Sequence, residues 1–237
     1  YTFTSQPTSS RSHGSTLWVL IYVDDALIAD DDSSLRDRFV ADLSERFPTE
    51  DKGELTWILN MGVRRDRPKR KLILSQELYV ADLLAKYASF MDASTTRTFD
   101  TPMDDTAQLS IEDCPTVGSD EHSDLKPQRE IYMSIVGGLL WLANMTRFDI
   151  AYAASQLSRA LTNPSSMHLK AAARVLIYLR HTQARTLIFQ PDVNLFLDTY
   201  VDSSWAVKFS CSGAMYFIHG CLFHWFSKMQ RSVTLSS

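Results

Sequence analysis

The residues best placed to do chemistry are two adjacent aspartates, Asp24 and Asp25, set between the apolar runs Leu17 to Val23 and Ala26 to Ala29. Two such runs around a short acidic step predict a β-hairpin. A carboxylate pair at a hairpin tip is fixed by two strands and projects oxygen ligands outward. Mg²⁺ uses one or two carboxylates together with substrate phosphates, and paired ions of this kind assist nucleotidyl transfer. Aspartate is also a common turn former, so by residue type alone a bare Asp-Asp step reads first as a turn. The same plain reading applies to Asp202, which closes the strand pattern Leu195 to Val201.

A second candidate is cationic. Arg64, Arg65, Arg67, Lys69, Arg70 and Lys71 fall within eight residues of a chain whose net charge is -4. A solvated loop is the ordinary reading of such a run, but a local basic face is what phosphate binding requires. Other groups offer less. His219 and His224 flank a predicted turn with Cys221 between them, and zinc would need further ligands at suitable spacing. Trp141, Trp205 and Trp225 read as core residues. Gly137-Gly138 lies in a helical pattern rather than a strand–loop–helix phosphate cradle, so it predicts close helix packing.

The elements that must hold these residues follow from periodicity. Residues 1–16 are Ser- and Thr-rich and read as a loop. Leu35, Phe39, Leu43 and Phe47 recur every four positions and predict a helix over 34–47, capped by Ser33 or Ser34. Leu55 to Val63 and Lys71 to Leu74 read as two strands joined through the basic segment with Pro68 at its tip. A helix over 76–87, capped by Ser75, turns Tyr79, Val80, Leu83, Leu84 and Tyr87 inward. Residues 91–128 lack periodicity and read as a long connector. Three helices follow, over 130–145, 149–161 and 165–180, with Asp149 as cap of the second and Pro164 separating the second from the third. From Thr186 the period changes to two, with strands at 187–189, 195–201, 214–218 and 222–226 read as one meander. The fold class is α+β.

The composition, 45% hydrophobic and 22% charged, is that of a chain that buries a core. Three cysteines make neither a disulfide framework nor a metal spacing and fit reduced thiols in an intracellular protein. No stretch approaches the ~18 apolar residues of a membrane span, so a soluble protein is expected. The chain begins without Met and ends at Ser237 in mid-element, which reads as a piece of something longer.

Tyr22-Val23-Asp24-Asp25 after Leu17 to Ile21 resembles the palm motif of reverse transcriptases. The flanking text resembles copia-type (Ty1/copia) LTR retrotransposon Gag-Pol polyproteins in ordered blocks: Leu74-Ser75-Gln76, Thr101-Pro102-Met103, the run Tyr132 to Leu142, Thr146 to Ala151, Leu157-Ser158-Arg159 and the run Ala171 to Leu179. The resemblance covers nearly the whole chain from Leu17.

It implies that residues 17–90 are the later palm and elements leading to the thumb, 91–128 a connector, 129–184 a helical connection region and 185–237 the truncated start of an RNase H-like domain. Tyr200 to Ala206 resembles the first RNase H strand end, and Ser212-Gly213 and Ser227 to Gln230 resemble later landmarks. The implied activity is RNA-directed DNA polymerisation with RNase H cleavage. Asp24, Asp25 and Asp202 would bind Mg²⁺ (or Mn²⁺), Tyr22 and Val23 would line the primer terminus, and the basic segment would touch the nucleic-acid backbone. The implied partners are an RNA template, a DNA primer, the RNA–DNA hybrid, dNTPs and the rest of the polyprotein, with no membrane. The implied location is intracellular, in a cytoplasmic particle or the nucleus.

Further metal ligands of both sites would lie outside the chain, so the isolated chain is expected to be inactive. Family positions differ at Asn60, where Gly is usual, at Phe148, where Pro is usual, and at Ser203-Ser204 and Val207-Lys208 beside Asp202. The difference at Asn60 calls a primer-gripping turn into question. These departures also fit a second reading, a degenerate or co-opted remnant that at most binds nucleic acid.

Overall fold

The computed structural model describes residues 14–91, 98–104, 109–203 and 210–230. Ser204, Trp205, Ala206, Val207 and Lys208, and all of the lead-in up to His13, lie outside the described residues. The fold is mixed helix and sheet, as α+β predicts. Its contacts separate two compact units, residues 1–55 and 56–237, a boundary inside the segment 17–90.

In the first unit, β1 (Leu17–Tyr22) and β2 (Asp25–Asp30) pair antiparallel from Leu17↔Asp30 to Tyr22↔Asp25. This is the expected hairpin, with β2 starting one residue earlier, at Asp25 itself. Helix α1 (Ser33–Arg46) follows. Its cap is Asp32 rather than a serine: the carboxylate accepts the Ser34 backbone N–H at 2.9 Å and the Ser34 hydroxyl at 2.8 Å. Asp32 outcompetes serine because its charged oxygen faces the positive end of the helix dipole. Hydrogen bonds from the Ser34 and Ser15 hydroxyls and the Ser34 amide hold its carboxyl below the usual carboxylate range. No residue of this unit is buried among those described.

The second unit has a core. Strand β3 (Trp57–Ile58), β4 (Met61–Asp66) and β5 (Lys71–Ser75) form a meander. The single strand expected over Leu55 to Val63 is therefore broken. Leu59 and Asn60 take φ +49° and +59° and reverse the chain in a tight turn. Helix α2 (Glu77–Lys86) starts where Ser75 Oγ accepts the Glu77 amide at 3.2 Å, although Gln76 is the capping position. Val80, Leu83, Leu84 and Tyr87 are buried as predicted, while Tyr79 stays partly exposed.

The connector is irregular but pinned. It contains a 3-10 turn at Ile111–Asp113 and a short helix, α3 (Asp120–Asp124). Met103 and Leu109 join the core, and the Arg174 guanidinium sits 4.2 Å from the Phe99 ring centroid while donating to Thr101 Oγ1 at 3.1 Å and Asp104 at 3.3 Å.

Helices α4 (Lys126–Met145), α5 (Ala151–Ser158) and α6 (Ser166–His181) supply most of the core, with Tyr132, Ile135, Leu139, Leu142, Ile150, Leu157, Leu176 and Leu179 inaccessible to solvent. The close helix packing expected at Gly137-Gly138 is confined to Gly138. A Cβ there would lie 2.7 Å from Leu83 Cδ1, whereas one at Gly137 would meet open space. Asp149 does not cap α5. It sits in a 3-10 turn (Phe148–Ile150) and its carboxylate is engaged elsewhere, as described below.

Strand β6 (Thr186–Phe189) overturns the expected C-terminal meander. It pairs with β5, from Ser75↔Thr186 to Leu72↔Phe189, and completes a sheet of order β3-β4-β5-β6. The sequence reading put it with its neighbours because consecutive strands usually pair. Only β7 (Leu197–Ser203), β8 (Cys211–Ile218) and β9 (Cys221–Met229) form the meander. Trp225 on β9 anchors that sheet to α4, its indole N–H donating to the Ala143 carbonyl at 2.6 Å.

Candidate functional site

The first unit positions the aspartate pair through its hairpin. Tyr22 ends β1, Val23 and Asp24 make the turn, and Asp25 opens β2 opposite Tyr22. Val23 takes φ +56°. A β-branched residue rarely adopts this left-handed conformation, so the turn holds backbone strain at the tip. Val23 is 85% exposed, and neither aspartate carboxylate has a hydrogen bond or ion pair among the described residues. The pair therefore offers two unspent anionic groups at the hairpin tip. That donor set fits Mg²⁺, which takes hard oxygen ligands and needs few of them from protein when substrate phosphates complete its shell.

Asp202 lies in the second unit, on the exposed strand β7, directly across from Gly213. Its Oδ1 accepts the Ser203 amide at 2.8 Å. It is the penultimate residue of its strand rather than a turn residue. Asp198 shares its face two pleats earlier. No group of three or more His, Cys, Asp and Glu able to hold a metal occurs among the described residues. His219 instead turns the β8–β9 hairpin at φ +49°, its Nδ1 2.6 Å from the Leu195 carbonyl.

The basic segment does form a hairpin tip, but not one basic face. Arg64 and Arg65 are consecutive in β4 and so point to opposite sides of the sheet. Arg67, Pro68, Lys69 and Arg70 form the turn, and Lys71 opens β5 across from Asp66. Lys69 caps the tip by pairing with Asp66 at 3.4 Å. The neighbouring turn places Leu59 and Asn60 at positive φ. Asparagine is the non-glycine residue best suited to positive φ, because its short amide can bond locally.

One buried cluster was not singled out as a site in the sequence. Arg147 is 2% exposed. It forks onto Asp149, with Nε–Oδ1 2.9 Å and Nη2–Oδ2 2.8 Å, and donates to the Thr182 carbonyl at 3.1 Å and hydroxyl at 2.6 Å. Tyr178 and Arg185 complete the shell of Asp149 at 2.7 and 3.1 Å. Burial works to raise the Asp149 carboxyl, but the Arg147 guanidinium, the Tyr178 hydroxyl and Arg185 together hold it below the usual range. Burial and the adjoining carboxylate push the Tyr178 hydroxyl up. Each guanidinium nitrogen of Arg147 and both carboxylate oxygens of Asp149 are engaged locally, so the cluster locks the end of α4 to the end of α6. An Arg-x-Asp step at the close of a long apolar helix was its only signal. Beside it, Phe148 packs edge-on against Trp225, centroids 6.0 Å apart.

No family model matches the chain, and no solved structure matches it. Curated relatives do. The chain is 33% identical over 229 residues to the retrovirus-related Pol polyprotein from transposon TNT 1-94 of Nicotiana tabacum, a match covering 95% of this chain and 17% of that protein. It is 34% identical over 227 residues to the Pol polyprotein from transposon RE1 of Arabidopsis thaliana, covering 94% of this chain and 14% of that protein. The chain thus spans only about a sixth of the length of these relatives. It is also 30% identical to a transposon Ty5-1 protein of Saccharomyces cerevisiae, covering 92% of this chain and 67% of that protein. Such matches along nearly all of its length mean that the chain belongs to the Pol polyproteins of copia-type retrotransposons.

Proposed function

We propose that this Pol segment is the later palm of a reverse transcriptase, with elements leading to the thumb, a helical connection region and the first strands of an RNase H domain. The observation that carries the proposal is the Asp24-Asp25 pair at a strained hairpin tip, both carboxylates unengaged, directly after Tyr22-Val23. In the intact enzyme Asp24 and Asp25 would hold Mg²⁺ with a further carboxylate of the polyprotein, and Tyr22 and Val23 would line the primer terminus. Bound there, the ions supply charge stabilisation at the attacking and leaving oxygens. The paired strands of the hairpin fix where the carboxylates stand and hold the strained tip against relaxation. Asp202 would hold Mg²⁺ for cleavage of the RNA strand, and dNTPs, primer and template would be the substrates.

The test is primer extension on an RNA template with Mg²⁺, using a Pol polypeptide that contains this chain together with the segment that precedes it in the polyprotein. Extension is expected, and Asp24→Asn should lower it on the order of 10²–10³-fold, as for loss of a group that stabilises transition-state charge. Extension unaffected by Asp24→Asn would overturn the assignment.

A second reading, a remnant without polymerase activity, draws on the yeast relative. There the same stretch makes up 67% of a separate protein, so it occurs in a chain much shorter than a Pol polyprotein. Absence of any extension by the longer polypeptide favours this reading.

A further inference from the structure

Helix α6 opens on a capping box whose third helical residue is a histidine. The Ser165 hydroxyl accepts the His168 backbone N–H, and the His168 ring accepts the Ser165 backbone N–H in return. Glu or Gln usually holds that reciprocal position. Here Nδ1 lies 3.3 Å from the Ser165 nitrogen and 2.7 Å from its hydroxyl. A backbone amide can only donate, so Nδ1 accepts and the ring proton sits on Nε2. Ser165 is 3% exposed and His168 1%, which keeps water from taking over either role.

Three features set this site against an imidazolium. A proton on Nδ1 would point a donor at the Ser165 N–H; the hydroxyl can turn and accept, but the amide cannot. The ring stands at the N-terminal end of a 16-residue helix, whose dipole disfavours a cation there. Burial acts in the same direction and holds the ring below its ordinary value of 6.5. The charged groups facing it are Asp113, from the 3-10 turn of the connector, and Arg159, just after α5, and their effects oppose each other. The connector is fastened at this same end of α6. Asn163, in the loop before the helix, donates to the carbonyl of the buried Pro115 at 2.8 Å.

We propose that Ser165 and His168 form a pH-sensitive latch between the start of α6 and the connector. At neutral pH the closed box holds the first turn of α6, and with it residues 110–115. When His168 takes up a proton the Ser165 amide loses its acceptor, the turn opens and that stretch is released. The rest of α6 stays in place, since Leu176 and Leu179 lie in the core and the Asp149 cluster ties its far end. The folded value of the ring lies below its free value, so the latch is fully closed above about pH 6.5 and loses its hold as pH falls through the folded value. Asp149, held below the carboxylate range, does not titrate in this window. The latch stands whether or not the segment polymerises.

The test is amide hydrogen exchange of the full chain from about pH 7.5 to about pH 5.5, expressed as protection relative to an unstructured peptide at each pH. Protection of the Asp113, Cys114 and Leu169 amides should fall by up to about tenfold per pH unit below the free value, with α4 unchanged. His168→Gln restores a box that does not titrate and should make those amides indifferent to pH. NMR titration of the wild-type ring decides independently of whether that variant folds: His168 should titrate below 6.5, along the same curve as the opening. A pH response retained in His168→Gln, an equal loss of protection in α4, constant protection in the wild type, or a ring titrating at or above its ordinary value would each overturn the proposal.

Discussion

Arg147 is the residue whose environment is most demanding. A guanidinium removed from water is costly unless its donors are met by charge and carbonyl oxygen, and here both arms of the fork are met by Asp149 and Thr182. Asp149→Ala would strand that charge and should destabilise the fold by about 3–5 kcal/mol. Arg185 also reaches Asp149, but its side chain is 54% exposed, so Arg185→Ala should cost no more than ~1 kcal/mol. Urea denaturation of the two variants checks the ranking, and a comparable loss in both would refute it. The folded-state carboxyl of Asp149 lies below its free value, so its contribution is complete above about pH 4 and is lost as pH falls through the folded value. The acid limb of the stability profile should therefore flatten in Asp149→Asn. His168 adds to the same trend. Burial lowers its pKa, and its Nδ1 lies 2.7 Å from the Ser165 hydroxyl at the start of α6, so the neutral ring is the form the fold prefers.

Among the elements, α4 separates two adjacent glycines by purpose. Gly137→Ala meets open space and should gain up to about 1 kcal/mol from helix propensity, whereas Gly138→Ala pushes into Leu83 and should lose most of that gain or reverse it. Thermal melts of the two variants should differ in that order; indistinguishable melts would contradict it. The doublet also shows where sequence is legible. Helices α1, α2, α4, α5 and α6 stood out because apolar residues repeat at helical spacing, and the β1–β2 hairpin because two β-rich runs flank an acidic step. Close packing at Gly138 followed from the absence of any phosphate-loop context. The break at Leu59-Asn60 was missed because Leu59 gives no sign of positive φ and sits in an apolar run, although Asn60 tolerates that conformation. Nor could the β5–β6 pairing, which depends on the whole helical segment folding back. Asp24 and Asp25 were visible as types in a pattern, but the freedom of their carboxylates was not. The opposed directions of Arg64 and Arg65 were hidden until both proved to lie in one strand, because a loop carries no fixed alternation.

At the scale of the molecule, the two units differ in what holds them. Residues 14–55 contain no buried side chain, and the hairpin exposes Trp18, Leu20, Ile21 and Tyr22, while the second unit keeps a continuous core across α2, α4, α5 and α6. Amides of β1 and β2 should exchange through local opening, and those of α4 and α6 only through global unfolding. Limited proteolysis should accordingly cut first before Thr56. Uniform protection across both units would show that the first unit is held by more than its own contacts. The closing strand of the second unit has a consequence for biosynthesis. Since β6 is the last partner of a sheet begun at Trp57, a ribosome must release the chain through Phe189 before that sheet has its outer strand. Until then β5 is an open edge awaiting a strand encoded far downstream, with the slow, entropically costly closure such distant pairing entails. A nascent polypeptide halted anywhere between Ser75 and Thr186 should need chaperone cover that the completed segment does not.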